Sequence, residues 1–145
     1  MLSEHIASQI YRNFAFEPTS GQKNVVEALS GFMTDADYSE IFIMNGYAGT
    51  GKTTLISALV RTLSCMKIKT VLLAPTGRAA KVVSRYAGQK AFTIHKKIYR
   101  QKNAQEGIGV FNLGFNAGAN VLFFVDEASM ISMSSQDSNF GTGSL

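Results

Sequence analysis

Ile41-Phe42-Ile43-Met44-Asn45-Gly46-Tyr47-Ala48-Gly49-Thr50-Gly51-Lys52-Thr53-Thr54 is the stretch whose reading decides the fold. The apolar run Ile41–Met44 predicts a strand, the glycines at 46, 49 and 51 predict a tight turn, and Lys52-Thr53 opens a helical pattern. Gly46 to Thr53 fits G-x-x-x-x-G-K-[ST], placed between a strand and a helix as that spacing requires. A triphosphate concentrates negative charge, and a Cβ would hold the backbone away from it. Gly46, Gly49 and Gly51 let N–H groups turn inward as an anion nest, with Ala48 and Thr50 between them. The following helix adds its positive end at the same place. Lys52 would reach the β- and γ-phosphates as a point charge, and the Thr53 hydroxyl, with Thr54 beside it, would face Mg²⁺. The ligand class expected is a nucleoside triphosphate with magnesium.

Upstream, Leu2, Ile6, Ile10 and Phe14 predict a short amphipathic helix, broken at Phe16-Glu17-Pro18. Thr19-Ser20-Gly21-Gln22 reads as a capping box opening a helix that buries Val25, Val26, Leu29, Phe32 and Met33. Thr34 to Ser39 reads as a polar turn. Downstream, a helix over Thr53–Leu63 carries Leu55, Ile56, Leu59 and Leu63 on its apolar face. A strand over Thr70–Ala74 follows, then helices over residues 77–86 and 93–101. Between Asn103 and Asn120, Val110, Phe111, Leu113 and Phe115 suggest a weak hairpin or loop. Val121–Val125 is a third strand, and Ser132–Leu145 is a Ser-, Gly- and Asn-rich tail. Apolar strands alternating with helices predict a parallel sheet covered on both sides.

Val121–Val125 runs into Asp126-Glu127, the expected partner of the phosphate loop. A carboxylate at the C-terminal end of a strand can hold the magnesium shell, which assigns Asp126. The next can polarise an attacking water, which assigns Glu127.

Composition narrows the class further. The chain has 145 residues, 46% of them hydrophobic and 17% charged, enough for one domain with a core. Its longest apolar runs are strand-sized, which argues against a membrane span, and Met1-Leu2-Ser3-Glu4-His5 is not a signal peptide. A single cysteine, Cys65, excludes an intrachain disulfide and suits a reducing, cytoplasmic setting. The net charge of +4 conceals a sharper pattern: no carboxylate lies between Glu40 and Glu106, and that stretch carries all the lysines and arginines except Arg12 and Lys23. Either a polyanion partner or a solvated basic face accounts for it.

Taken together, Gly46–Thr54, Ala74-Pro75-Thr76-Gly77-Arg78-Ala79-Ala80, Thr93-Ile94-His95 and Val125-Asp126-Glu127-Ala128-Ser129-Met130 resemble the RecD-like branch of superfamily 1 DNA helicases. The likeness takes in Pro18-Thr19-Ser20-Gly21-Gln22 and covers about residues 14–132. It implies a RecA-like P-loop NTPase fold, ATP with Mg²⁺, and a motor on single-stranded DNA that moves 5′ to 3′ in recombination, repair or replication. Gln22 matches the glutamine that reads adenine in such helicases, alongside its capping-box role. Pro75, Thr76, Gly77 and Arg78 match a DNA-contacting motif, with a plain helix cap as the alternative for Thr76. Thr93 and His95 match another DNA-side motif, and a structural histidine is the alternative there. Phe92 and Tyr99 could stack on bases or pack into the core.

The resemblance divides the chain into an N-terminal helical segment over 1–39, a partial first motor core over 40–132 and a flexible tail or truncation point over 133–145. RecD-like helicases have later motifs, a polar sensor strand and a second domain with the arginine finger, that this sequence does not contain. The resemblance therefore implies a sheet incomplete at the C-terminus, missing helicase domains as partners, and association through an open sheet edge. In such helicases the next strand lies between the phosphate-loop strand and the Asp-Glu strand, so its absence would leave those two about 9–10 Å apart. It also implies weak turnover, since an arginine finger contributes about 10³–10⁵ in rate. The competing readings are another P-loop ATPase or kinase, and a nucleotide- or DNA-binding module without turnover.

Overall fold

A computed structural model describes residues 2–35, 40–101, 111–113 and 121–131. Two helices open the chain, α1 (Leu2–Arg12) and α2 (Ser20–Asp35). The capping box forms as the sequence predicts: Thr19 N donates to Gln22 Oε1 at 2.9 Å, and Gln22 N donates to Thr19 Oγ1 at 3.3 Å. These bonds satisfy donors that a helix start leaves unpaired. The phosphate loop then leads into α3 (Lys52–Cys65). After it come β1 (Lys69–Ala74), α4 (Gly77–Ala87), β2 (Ala91–Thr93), α5 (Ile94–Ile98), β3 (Tyr99–Gln101), β4 (Phe111–Leu113) and β5 (Val121–Val125). A turn of 3₁₀ helix, Ala128–Met130, closes the described residues.

The sheet is parallel, in the order β2-β1-β5. Leu72 pairs with both Ala91 and Phe124, so β1 is the central strand. Its even-numbered residues Leu72 and Ala74 lie on the same face as Leu122 and Phe124, as a period of two requires. That face carries the core. Ile6, Ile10, Val26, Leu29, Leu55, Leu59 and Leu63 form one cluster against Leu122 and Phe124. Val60, Leu72, Ala74, Ala80, Val83 and Ala87 form a second. Helix α3 contributes to both and is the central beam. On the opposite face Leu73 is buried, but Phe123 and Val125 are each 41% exposed. Among the described residues, the cover expected on both faces is therefore incomplete over Phe123 and Val125.

Three further predictions change. Residues 41–44 form no strand ladder among the described residues. They keep a strand's alternation, with Phe42 and Met44 packed on the first cluster while Ile41 and Ile43 are 84% and 75% exposed. An apolar tetrapeptide sets which side chains turn inward, but a ladder needs an adjacent backbone, and β5 does not pair with this segment.

The helix predicted over 93–101 is only five residues long, Ile94–Ile98. Ala91–Thr93 pairs with Leu72–Ala74 instead, and Tyr99–Gln101 pairs antiparallel with Phe111–Leu113. Backbone pairing outweighs weak helical periodicity at both ends. Of the segment expected as a weak hairpin or loop, Phe111–Leu113 is a strand, but its partner is Tyr99–Gln101, which was expected to be helical. Val110 and Phe115 lie outside the described residues, as do the tail over 132–145 and most of the turn predicted up to Ser39. Thr34, assigned to that turn, is the last full turn of α2.

Candidate nucleotide and nucleic-acid site

The loop at 46–53 has the backbone its glycines predict. Gly49 and Gly51 sit in the left-handed region at φ 80° and 81°, and Gly51 is the N-cap of α3. A Cβ on Gly46 would fall 2.9 Å from Thr50 Oγ1. A Cβ on Gly51 would collide with the amide nitrogen of Gln22, because Gln22 Nε2 donates to Gly51 O at 3.3 Å. One glutamine thus caps α2 with its oxygen and grips the phosphate loop with its nitrogen, which places an adenine-reading candidate against the loop.

Lys52 lies folded over the loop. Its Nζ donates to Gly46 O and, at 2.8 Å, to Tyr47 O. Thr50 Oγ1 also donates to Tyr47 O, at 2.8 Å, so this carbonyl holds the turn together. Thr53 is exposed on the first turn of α3, with Thr54 beside it half-buried and Ala48 exposed on the loop. The shallow groove between α1 and α2, lined by Tyr11, Arg12 and Glu27, lies elsewhere and has none of this chemistry.

Asp126 and Glu127 leave β5 with different orientations. Asp126 continues the face of Leu122 and Phe124, and its N–H donates to Leu73 O at 3.0 Å, so β1 holds it in register. The carboxylate is half-buried, and Tyr86 Oη donates to its Oδ2 at 2.6 Å. Burial, then the Asp126 bond and charge, raise the Tyr86 phenol well above its ordinary value. Glu127 adopts a left-handed backbone, φ 55°, and is exposed. A non-glycine residue held there costs of order 1 kcal/mol, a strain found at functional turns. Among the described residues no hydrogen bond or ion pair joins Lys52 or Thr53 directly to Asp126 or Glu127. The link between the two halves is indirect: Ser57 Oγ on α3 donates to Tyr86 O at 2.8 Å.

The residues assigned to DNA gather at the C-terminal edge of the sheet. Ala74 pairs with Thr93, which brings Pro75, Thr76, Gly77 and Arg78 beside Thr93 and His95. Thr76 caps α4 by accepting from Ala79 N at 3.2 Å, and Thr93 caps α5 by accepting from Lys96 N at 3.1 Å. The cap at Thr76 is therefore real, and it still leaves Arg78 and His95 exposed. Phe92 is half-buried, with Lys90 Nζ at 5.3 Å and Lys97 Nζ at 5.5 Å from its ring centre. The side chain of Tyr99 is outside the described residues. Tyr86 and Ser57 escaped the sequence reading, since nothing local marks a tyrosine on α4 as the partner of a carboxylate 40 residues later.

A family model of the AAA domain matches residues 18–139. The chain belongs to this AAA domain family. The match spans the phosphate loop and the Asp126-Glu127 strand end together. This AAA domain is also similar to the ATP-dependent DNA helicase dda of Enterobacteria phage T4, at 37% identity over 78 residues, or 53% of the chain and 17% of that helicase. It is 27% identical over 79 residues to the ATP-dependent RecD2 DNA helicase of Deinococcus radiodurans, covering 54% of the chain and 11% of the relative. The chain thus spans less than a fifth of the length of either curated relative. The two helicases and the domain match bear out the resemblance to RecD-like helicases, and the parallel sheet with flanking helices bears out the α/β P-loop class.

Proposed function

We propose that this chain carries the ATP-binding and hydrolysing half-site of a helicase motor that translocates on single-stranded DNA, 5′ to 3′, in recombination, repair or replication. The observation that carries the proposal is the loop itself: two left-handed glycines and a third with no room for a Cβ, ahead of Lys52 and gripped by Gln22. Gly46, Ala48, Gly49, Thr50, Gly51 and Thr54 would line the phosphates, with Lys52 moving its ammonium onto the β- and γ-oxygens. Gln22 would read the adenine edge. Thr53 and Asp126 offer the hard oxygen donors that suit Mg²⁺, which is characteristically held by one or two protein oxygens and substrate phosphates rather than by a protein cage. When bound, that ion supplies charge neutralisation across the transferred phosphate. Glu127 would orient and deprotonate the attacking water from the exposed left-handed position that follows β5.

Pro75, Thr76, Gly77, Arg78, Thr93 and His95 would contact the DNA strand, with backbone N–H groups and hydroxyls on phosphates and Arg78 as counter-charge. Association through an open sheet edge, with further helicase domains or another copy as the occupant, is supported by the apolar surface exposed at Ile41, Ile43, Phe123 and Val125. Among the described residues no helix is long and apolar enough to cross a membrane; the cytoplasmic setting is proposed on the single cysteine.

The test is binding of a fluorescent ATP analogue to the full chain, with ATP hydrolysis measured with and without single-stranded DNA. Wild type should bind, Lys52→Ala should lose binding, and DNA should bind with a steep salt dependence. Equal binding by wild type and Lys52→Ala overturns the site. Salt-sensitive DNA binding without hydrolysis favours a binding module.

A further inference from the structure

Tyr86 lies outside the phosphate loop and the Asp126-Glu127 turn, yet it is built into the space between them. Residues Ala79, Ala80, Val83, Tyr86 and Ala87 form the inward stripe of α4, at the 3–4 spacing that faces one side of a helix. All five pack in the cluster shared with α3 and β1. Side chains on a helix lean toward its N-terminus. The Tyr86 ring therefore points back toward the end of the sheet where Asp126 emerges, and its hydroxyl meets Asp126 Oδ2 at 2.6 Å.

The other end of the residue is fixed as well. Tyr86 C=O is one of the last four carbonyls of α4, which have no partner within the helix. Ser57 Oγ donates to it from α3 at 2.8 Å. Ser57 lies one turn and a half beyond Lys52 on the same helix that begins at the phosphate loop. The residue spans the seam between α3, α4 and β5, with its backbone carbonyl on the phosphate-loop helix and its hydroxyl on the metal-side carboxylate.

We infer that Tyr86 is a positioning residue for Asp126, holding its carboxylate at the angle that magnesium-bound nucleotide requires. The inference rests on the reading of Asp126 given under Proposed function. A carboxylate at a strand end with no such partner would rotate freely about its side-chain bonds. Here one oxygen is tied to a phenol donor, which fixes the plane of the carboxylate and leaves Oδ1 to act as a ligand. Partners of this kind orient a ligand and are lost at a cost of about tenfold or more in metal affinity.

The test uses the full chain, a fluorescent ATP analogue and a Mg²⁺ titration at fixed nucleotide, with parallel binding in EDTA. Tyr86→Phe keeps the ring and its packing and deletes only the donor. It should raise the half-saturating Mg²⁺ concentration about tenfold and leave EDTA binding unchanged. In an Asp126→Asn background the same substitution should have no further effect on the Mg²⁺ midpoint. Ser57→Ala, which loosens Tyr86 without touching the ring, should move the midpoint in the same direction by a smaller factor. If wild type binds equally in Mg²⁺ and EDTA, the reading of Asp126 fails and the inference fails with it. If wild type depends on Mg²⁺ and neither variant moves the midpoint, the inference alone is overturned. An equal loss in Mg²⁺ and EDTA also overturns it, because it marks a packing role.

Discussion

Gly51→Ala tests how the phosphate loop is built. Alanine at φ 81° must occupy the left-handed region, at about 1–2 kcal/mol for an L-residue. Its Cβ would also collide with Gln22 Nε2, so the glutamine must release Gly51 O, at about 0.5–1.5 kcal/mol for a net hydrogen bond. The sum, about 1.5–3.5 kcal/mol, should appear as a lower urea midpoint with an unchanged slope, followed by far-UV circular dichroism. Gly31→Ala is the matched control. Gly31 lies within α2 with nothing within 4 Å of an added Cβ, so it should gain about 0.5–1 kcal/mol. The collision is separable from the strain by making the substitution in Gln22→Ala, where Gly51→Ala should cost only about 1–2 kcal/mol. A Gly51→Ala chain as stable as wild type would refute the left-handed assignment. An undiminished cost in the Gln22→Ala background would refute the contact between Gln22 and the loop.

Other outcomes follow from packing, capping and titration. Leu59 is 2% exposed at the centre of α3, so Leu59→Ala should cost about 2–5 kcal/mol in urea unfolding. Thr76→Ala removes the N-cap of α4 and should cost about 1 kcal/mol; restoration by Thr76→Ser but not by Thr76→Val separates hydroxyl from shape. Tyr86 is raised above the ordinary tyrosine value of 10.0. The folded chain therefore holds this proton more tightly than the unfolded chain, and the associated stability is intact below the unfolded value and lost as pH climbs through the folded one. Ultraviolet titration should show a tyrosinate component that ionises late and disappears in Tyr86→Phe, with no change in stability slope from this group at neutral pH.

The parts of the fold legible in the sequence were those encoded over one or two turns of chain. The capping box at Thr19 and Gln22, the glycine turn, and the apolar stripe of α3 each express a local steric or hydrogen-bonding demand, and each stands where that demand placed it. Pairing was less legible. Ile41–Met44 has the apolar alternation of a strand, but alternation does not name the neighbouring backbone. Thr93 and Tyr99–Gln101 read as helical in isolation, and Ala91–Phe92 as no element, because three-residue strands are too short to show a period of two. At the candidate site, the turn of the loop glycines was legible because a left-handed backbone favours residues without a Cβ, while the roles given to Lys52 and Asp126 are proposals. Tyr86 was not, since its partner is chosen by how α4 lies across the sheet. Gln22 falls between the two cases. Its cap was local, while its hold on Gly51 depends on α2 lying against the loop.

The position of Lys52 carries a kinetic consequence. With its ammonium on Gly46 O and Tyr47 O, the loop acts as a competitor for its own cation. A phosphate that engages Lys52 gains one set of charge-assisted hydrogen bonds and releases another, so affinity reflects the difference between them. The same exchange runs in reverse on departure, when two carbonyls stand ready to take the ammonium back. On the proposed reading, these carbonyls lower affinity by stabilising the empty loop. Under the proposed hydrolytic cycle, product release would leave the Lys52 ammonium with these carbonyls to return to.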